Sequence, residues 1–465
     1  MKQTTKKIVT LLLTMATFAC TSCGINNENN RRIKLSVGNW PSVKGGKLDI
    51  INNYKEEFEK EYTDVEIIPD TWKFDYQSFY PKAEIGMLPN VFVAAFTEFD
   101  KIVDGGHALD LTYILKEKGY FVNLNPQIRD LVSKDGKVYA IPYDTYAFGV
   151  AYNTEMYEKA GLVEADGTPM QPKTWDELAE FAVKIKEATG IPGFVISTTN
   201  KNGGWIFTNI AWSYGVDFME QQSDGRWLAT FNTDEMVQAL QYIKDLKWKY
   251  DVLPSNVMID QDEMLEIFAK GEAGLALTAN PMTKMAEFGM KPIEYGMMAI
   301  PAGPARHVAL VGGAFRCISN QTKEEQVYVA LDWINHVGEG YKLDDKVKGT
   351  MEKDMKTKLD AGYAVGIKVL QFLDKDSEKV VYSNKLIDEN YNMKPNAVRL
   401  YNESLLNGEI ELQMEEPVCA QDLYSLLDNC IQQVIDDENA DCRAIVEQVN
   451  YDFQTNYLDN LDYKK

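Results

Sequence analysis

The chain has 465 residues, 45% of them hydrophobic, an ordinary globular proportion with length enough for two or three domains. Its 48 basic residues face 70 acidic ones, a formal net charge of −22. That balance excludes a nucleic-acid partner, since neutralising phosphates needs a basic face, and it argues against binding anionic lipid head groups.

The first elements belong to targeting rather than to the fold. Lys2, Lys6 and Lys7 make a positive n-region, and Ile8–Ala19 is an apolar run too short to span a bilayer. The residues A-C-T-S-C-G follow. This start resembles a bacterial lipoprotein signal over residues 1–22, with Cys23 as the lipidated residue because Ser22 and Gly24 beside it are small. Cys20 is the alternative, although Phe18 is bulky and neither cysteine has Leu three positions upstream. Residues 23–32 contain the polar run GINNENN and read as a flexible tether. The resemblance puts the mature protein on the outer face of a membrane, held by lipid.

Ile33–Val37 alternates like a strand and runs into the loop Gly38-Asn39-Trp40-Pro41. Leu48, Ile51, Phe58 and Tyr62 recur at helical spacing. Val65–Ile68 is a second strand, ending at Pro69-Asp70-Thr71-Trp72. A shorter helical stretch leads to Val91–Ala95, an apolar run typical of a buried parallel strand. The pattern β-α-β-α-β opens a doubly wound sheet, in which ligands bind beyond the carboxyl ends of the strands. Those ends carry Trp40, then Asp70 and Trp72, then Phe96 and Glu98.

After Lys137–Pro142 the chain is expected to enter a second lobe. Thr174 and Glu177 have the spacing of a capping box. Trp205, Phe207, Trp212 and Tyr214 make an aromatic helical stretch that could floor a site or lie in the core. Further helices are predicted over Asn232–Trp248 and Glu263–Lys270. Ala273–Ala279 is strand-like and ends at Asn280-Pro281. Tyr295–Ile300 and the run to Val311 follow, then Gly312-Gly313-Ala314-Phe315 and a helix over Lys323–Val337. The last hundred residues read as helical and charged, with no catalytic pattern. Cys317, Cys419, Cys430 and Cys442 lack metal spacing; one pair among the last three could bridge, or all could be buried thiols.

Four stretches in this order carry a likeness: DGKVYAIPYDTYAFGVAYNTEMYEKAGL, PKTWDELAEFAVKIKEA, LEIFAKGEAGLALTANP and AIPAGPARHVALVGGAFRCISNQTKEEQVYVALDWINHV. They resemble the family 1 extracellular solute-binding proteins, the sugar-binding components of ABC importers related to maltose-binding protein. Pro89-Asn90-Val91 departs from the family's usual Pro-Asp-Val, which puts in doubt any role carried over to a carboxylate there. The resemblance implies an α/β, two-lobe periplasmic-binding-protein-like fold of type II with a ligand cleft at the hinge. Lobe 1 would hold residues 33–145 plus 280–345, and lobe 2 residues 146–279 plus 346–465. It also implies a monomer that meets ABC permease subunits, takes a small solute, uses no cofactor or metal and catalyses nothing.

Sugars present apolar C–H faces and rings of hydroxyls, so aromatic platforms and planar polar groups make their sites. On that chemistry the candidate ligand-binding residues are Trp40, Trp72, Glu98, Tyr143, Asp144, Tyr146, Trp212, Asn280, Gly313 and Phe315. A polyamine or peptide in the same fold is the first rival. The acidic balance disfavours an anion. A glycosidase using Glu98 and Asp144 as its two carboxylates is the second rival. His107, His307 and His336 are scattered and form no catalytic or metal pattern.

Overall fold

The computed structural model describes residues 32–42, 46–279, 282–368 and 371–461. Cys23, its alternative Cys20 and the cleft candidate Asn280 lie outside them.

Nine strands form one mixed sheet: β1 (Ile33–Val37), β2 (Val65–Pro69), β3 (Val91–Ala95), β4 (Ala140–Asn153), β5 (Phe194–Val195), β6 (Leu275–Ala279), β7 (Tyr295–Ala299), β8 (Val308–Ile318) and β9 (Glu411–Gln413). Their order is β2-β1-β3-β8-β4-β6-β5, with β7 beside β4 and β9 beside β8. The opening is the predicted one. β1 pairs in parallel with β2 and β3, and α1 (Gly46–Glu61) and α2 (Tyr76–Glu84) make the crossovers. Leu35, Val37, Phe58, Ile67 and Phe92 are buried there, and each such side chain contributes about 2 kcal/mol through burial.

Two long strands tie the sheet together, and their neighbours change partway along. Ala140–Ala147 of β4 pairs antiparallel with Val311–Cys317 of β8, whereas Phe148–Asn153 pairs with β6 and β7. Likewise Ala314–Ile318 of β8 pairs with β3, whereas Val308–Leu310 pairs with β9. The sheet therefore has two halves, and β4 and β8 are strands of both. At 14 residues β4 is roughly 45 Å long, far beyond an ordinary strand.

The helices of the second half follow their start signals. α3 (Trp175–Thr189) is capped by the Thr174 hydroxyl, which accepts from the Glu177 amide at 3.2 Å. The Glu177 carboxylate reaches the Lys173 amide instead of closing the box on Thr174. A full reciprocal box forms at Asp260 and Glu263, where α4 (Gln261–Ala269) begins. α5 (Asn202–Tyr214) packs against α6 (Asp234–Trp248) and α8 (Ala420–Asp436).

The expected division of the chain puts Tyr295–Ala299 in lobe 1 and everything from 346 in lobe 2. The strand pairs instead with Gly149–Asn153, in the second half of the sheet. Part of the later chain reaches the first half, while α8 stays with the second: Lys346 pairs with Glu57 of α1 at 2.5 Å, and Lys379 donates to Gly338 O at 2.6 Å and Gly340 O at 2.7 Å. Those two carbonyls follow α7 (Glu324–His336), which packs on β1 and α1. Cys317, Cys419, Cys430 and Cys442 are all free thiols.

Candidate functional site

The place where β4 and β8 pair beside the end of β3 is irregular, and the irregularity builds a site. Ala314 faces Asp144 in the register but Phe315 faces Pro142, so Tyr143 is an extra, bulged residue. Gly313 has φ of +150°, and a Cβ there would lie 2.0 Å from the Asp144 carbonyl oxygen. A Cβ on Gly312 would lie 2.1 Å from the Tyr146 hydroxyl. The double glycine thus lets the bulge approach and lets the Tyr146 ring lie across the neighbouring strand.

Across from this bulge stands the start of α5. Its first amides have no side-chain cap of their own. Asp428, buried on α8, accepts from Lys201 N and Gly204 N at 2.6 Å each. A Cβ on Gly204 would meet the Tyr424 carbonyl at 2.2 Å, so only glycine allows the two helices this close. The result holds Trp205 edge-on to Tyr146, with ring centroids 6.5 Å apart. Trp205 Nε1 donates to Glu415 Oε1 at 3.2 Å, and the Tyr424 hydroxyl donates to Glu415 Oε2 at 3.0 Å.

Electrostatics link these groups. Burial raises the Glu415 pKa, the Tyr424 and Trp205 bonds oppose that, and the Glu98 charge adds to it. Burial, then Glu415 and Asp144, push the Tyr146 phenol up to about 12. Desolvation likewise raises Asp144, with the Thr145 amide pulling the other way. Glu98 Oε2 is buried without a hydrogen-bond partner among the described residues and lies 3.8 Å from Lys101 Nζ. Two aromatic faces and three carboxylates therefore adjoin where the two sheet halves meet. Carboxylates accept hydroxyl hydrogen bonds strongly, and the rings suit C–H faces.

Beside the cluster, a cavity of about 470 Å³ opens between the end of β1, α1 and the end of α7. Tyr143 is one wall, Trp40 another, and Arg316 of β8 a third. The Arg316 guanidinium is ion-paired with Glu339 and lies 5.0 Å from the Tyr143 ring centre. Lys47 and Lys73 stand at its exposed rim.

The sequence candidates separate on this geometry. Tyr143, Asp144, Tyr146 and Gly313 meet at the bulge, with Glu98 near by. Trp40 is 4% exposed, stacked on Trp333 and bonded to Asn52, so it is a cavity wall rather than an open platform. Trp72 donates to Ser78 and packs on Phe79 and Phe92 within its own half. Trp212 and Phe315 are corrections: each is 0% exposed, Trp212 bonded to Glu416 and Phe315 stacked on Phe96 and edge-on to Phe99. A ring with no exposed face offers no platform. Glu415 and Tyr424 were not among the candidates; they lie in the charged C-terminal stretch, whose only signal is the acidic pair Glu415-Glu416 next to Pro417.

No helix of the described residues is long and apolar enough to cross a membrane, and no group of three or more His, Cys, Asp or Glu among them is placed to hold a metal.

Two sheet halves joined by long strands, with aromatic and acidic groups at the junction, define a type II binding-protein fold. Residues 45–338 match the bacterial extracellular solute-binding protein family, and the chain belongs to it. It is 27% identical over 222 residues to a binding protein of Brucella abortus, 47% of this chain and 50% of that one, so it spans about half the length of that relative. It is 22% identical to the arabinooligosaccharide-binding protein of Bacillus subtilis, covering 68% of this chain and 72% of that one. It is also 22% identical to the sn-glycerol-3-phosphate-binding periplasmic protein of Escherichia coli, covering 68% and 73%. Among solved structures, the cyclic α-maltosyl-1,6-maltose binding protein of Arthrobacter globiformis aligns with TM-score 0.62 at 20% identity, over 91% of this chain and all of that one. The maltose-bound MalE3 of T. maritima aligns with TM-score 0.57 at 23% identity, over 91% and 99%.

Proposed function

We propose that the protein is a lipid-anchored, extracytoplasmic substrate-binding protein of an ABC importer that takes a carbohydrate by hinge closure. The observation that carries this reading is the Tyr146–Trp205–Glu415 cluster at the junction of the two halves. It combines ring faces with hydroxyl acceptors, as a sugar requires. The relatives that bind arabinooligosaccharide and maltosyl sugars support the same choice.

In this reading the solute contacts one half, and bending at β4 and β8 brings the other half over it. The closed form then docks on permease subunits as a monomer held by lipid on Cys23, or Cys20. The lobes are those of the two sheet halves, with residues 33–145 in the first and 146–279 in the second. No bond is made or broken, so no cofactor or catalytic residue is required.

Thermal unfolding of residues 32–461 against mono- and oligosaccharides, peptides and polyamines tests it. A ligand at about a hundred times its dissociation constant adds roughly 2.7 kcal/mol to stability. A shift with one sugar class, reduced about tenfold in affinity by Tyr146→Ala, is the expected result. A shift with polyamines or peptides alone contradicts the sugar assignment, and a product released from an oligosaccharide contradicts the non-catalytic one.

A further inference from the structure

The cavity beside the cluster has a charge opposite to that of the molecule. Over the whole chain acids outnumber bases to a net −22, yet Lys47, Lys73 and Arg316 line this cavity against one carboxylate, Glu339. Neither lysine is ion-paired among the described residues, whereas Lys55 has Glu59 and Lys346 has Glu57 as acidic partners. Lys47 also occupies the first turn of α1, where the helix dipole already places positive potential and a cation is disfavoured. Asp49 in the same turn is not a wall of the cavity. Arg316 is held facing the cavity between Glu339 and the Tyr143 ring, and Lys379 fixes the backbone on both sides of Glu339. Two uncompensated lysines, a fixed guanidinium and a helix start converge on one hollow with aromatic walls.

We propose that the solute is acidic: a saccharide or polyol bearing a carboxylate or phosphate, whose anionic group is bound by Lys47, Lys73 and Arg316 while its hydroxyls meet the Asp144–Tyr146–Glu415 cluster. This rests on the solute-binding reading above. Tyr143 joins the two parts, since its ring is under Arg316 and the next residue is Asp144. The acidic surface elsewhere repels a free anion, so these three cations supply both the attraction and the selection against neutral analogues.

Matched neutral and acidic probes test it by calorimetric titration of residues 32–461: oligogalacturonides against their methyl esters, glucose 1-phosphate against glucose, and sn-glycerol 3-phosphate against glycerol. The acidic member of at least one pair is expected to bind about tenfold or more tightly than its neutral counterpart, with an affinity that falls as salt rises. The first pair reports a carboxylate and the other two a phosphate. In the Lys47→Gln/Lys73→Gln double variant the acid-to-neutral ratio should fall to about one. The lysines are exposed, so the variant is expected to fold, and its unfolding midpoint checks this. Neutral members binding as tightly as acidic ones overturn the acidic assignment and leave the sugar-binding reading standing. An acid preference that survives in the double variant overturns the assignment to this cavity. Binding by no member of any pair overturns it as well, and the wider panel above then decides the sugar-binding reading separately.

Discussion

Glu416 is buried beside Glu415 and accepts a hydrogen bond from Trp212 Nε1 at 3.0 Å. Burial raises its pKa from 4.5 to about 7, against the pull of that bond. Between those values the folded protein holds a proton that the unfolded chain has released. The stabilisation is fully present below about pH 4.5 and is lost as the pH rises through about 7. Glu416→Gln keeps the acceptor and removes the titration. Its unfolding midpoint should exceed that of the wild type at pH 7.5, by the equivalent of about 3 kcal/mol at most, and should vary less between pH 4.5 and 7. An unchanged slope would show that the carboxyl group titrates elsewhere. Residue-scale legibility was uneven for a plain reason. Tyr143, Asp144 and Tyr146 were candidates because the family resemblance puts their aromatic-rich strand at the crossing between the lobes. Trp205 and Trp212 are seven positions apart and share a helix face, but they are about 10 Å apart along the axis, so one reaches the junction and the other is core.

At the scale of elements, the hinge depends on two close approaches that no side chain permits. Gly313→Ala would drive a Cβ into the Asp144 carbonyl, at a backbone φ that L residues rarely adopt. We expect a loss of about 3 kcal/mol in chemical unfolding, together with loss of solute binding. Retained binding and stability would mean that the bulge at Tyr143 is not needed. The start of α5 depends on a cap from another helix. Asp428→Ala removes acceptors for two amides at the helix start, the Gly204 one buried, and should cost about 2 kcal/mol, with Asp428→Asn milder. Hydrophobic period and strand composition were enough to predict the β-α-β-α-β opening and the cap at Thr174, whereas the full box at Asp260 was not foreseen. The bulge and the distant cap were not predictable, because each depends on partners more than 150 positions away, and pattern within a segment does not encode them.

For the whole molecule, the sequence could foresee two halves but not the path of the chain between them. β7 joins the second half because its partner is the far end of β4, and Lys346 and Lys379 tie later residues back to the first half. Only the length of β4 hints at this: a 14-residue strand is long enough to serve two sheets. The C-terminal residues therefore touch both halves, and the carboxylate that completes the cluster comes from them. Closure should thus tighten the chain as a whole. The most direct test is small-angle X-ray scattering of residues 32–461 with and without the saccharide that shifts the unfolding midpoint most. A smaller radius of gyration on saturation, lost in Tyr146→Ala at the same saccharide concentration, is the predicted result. A saccharide that binds in both proteins and leaves the radius unchanged would contradict binding at this junction.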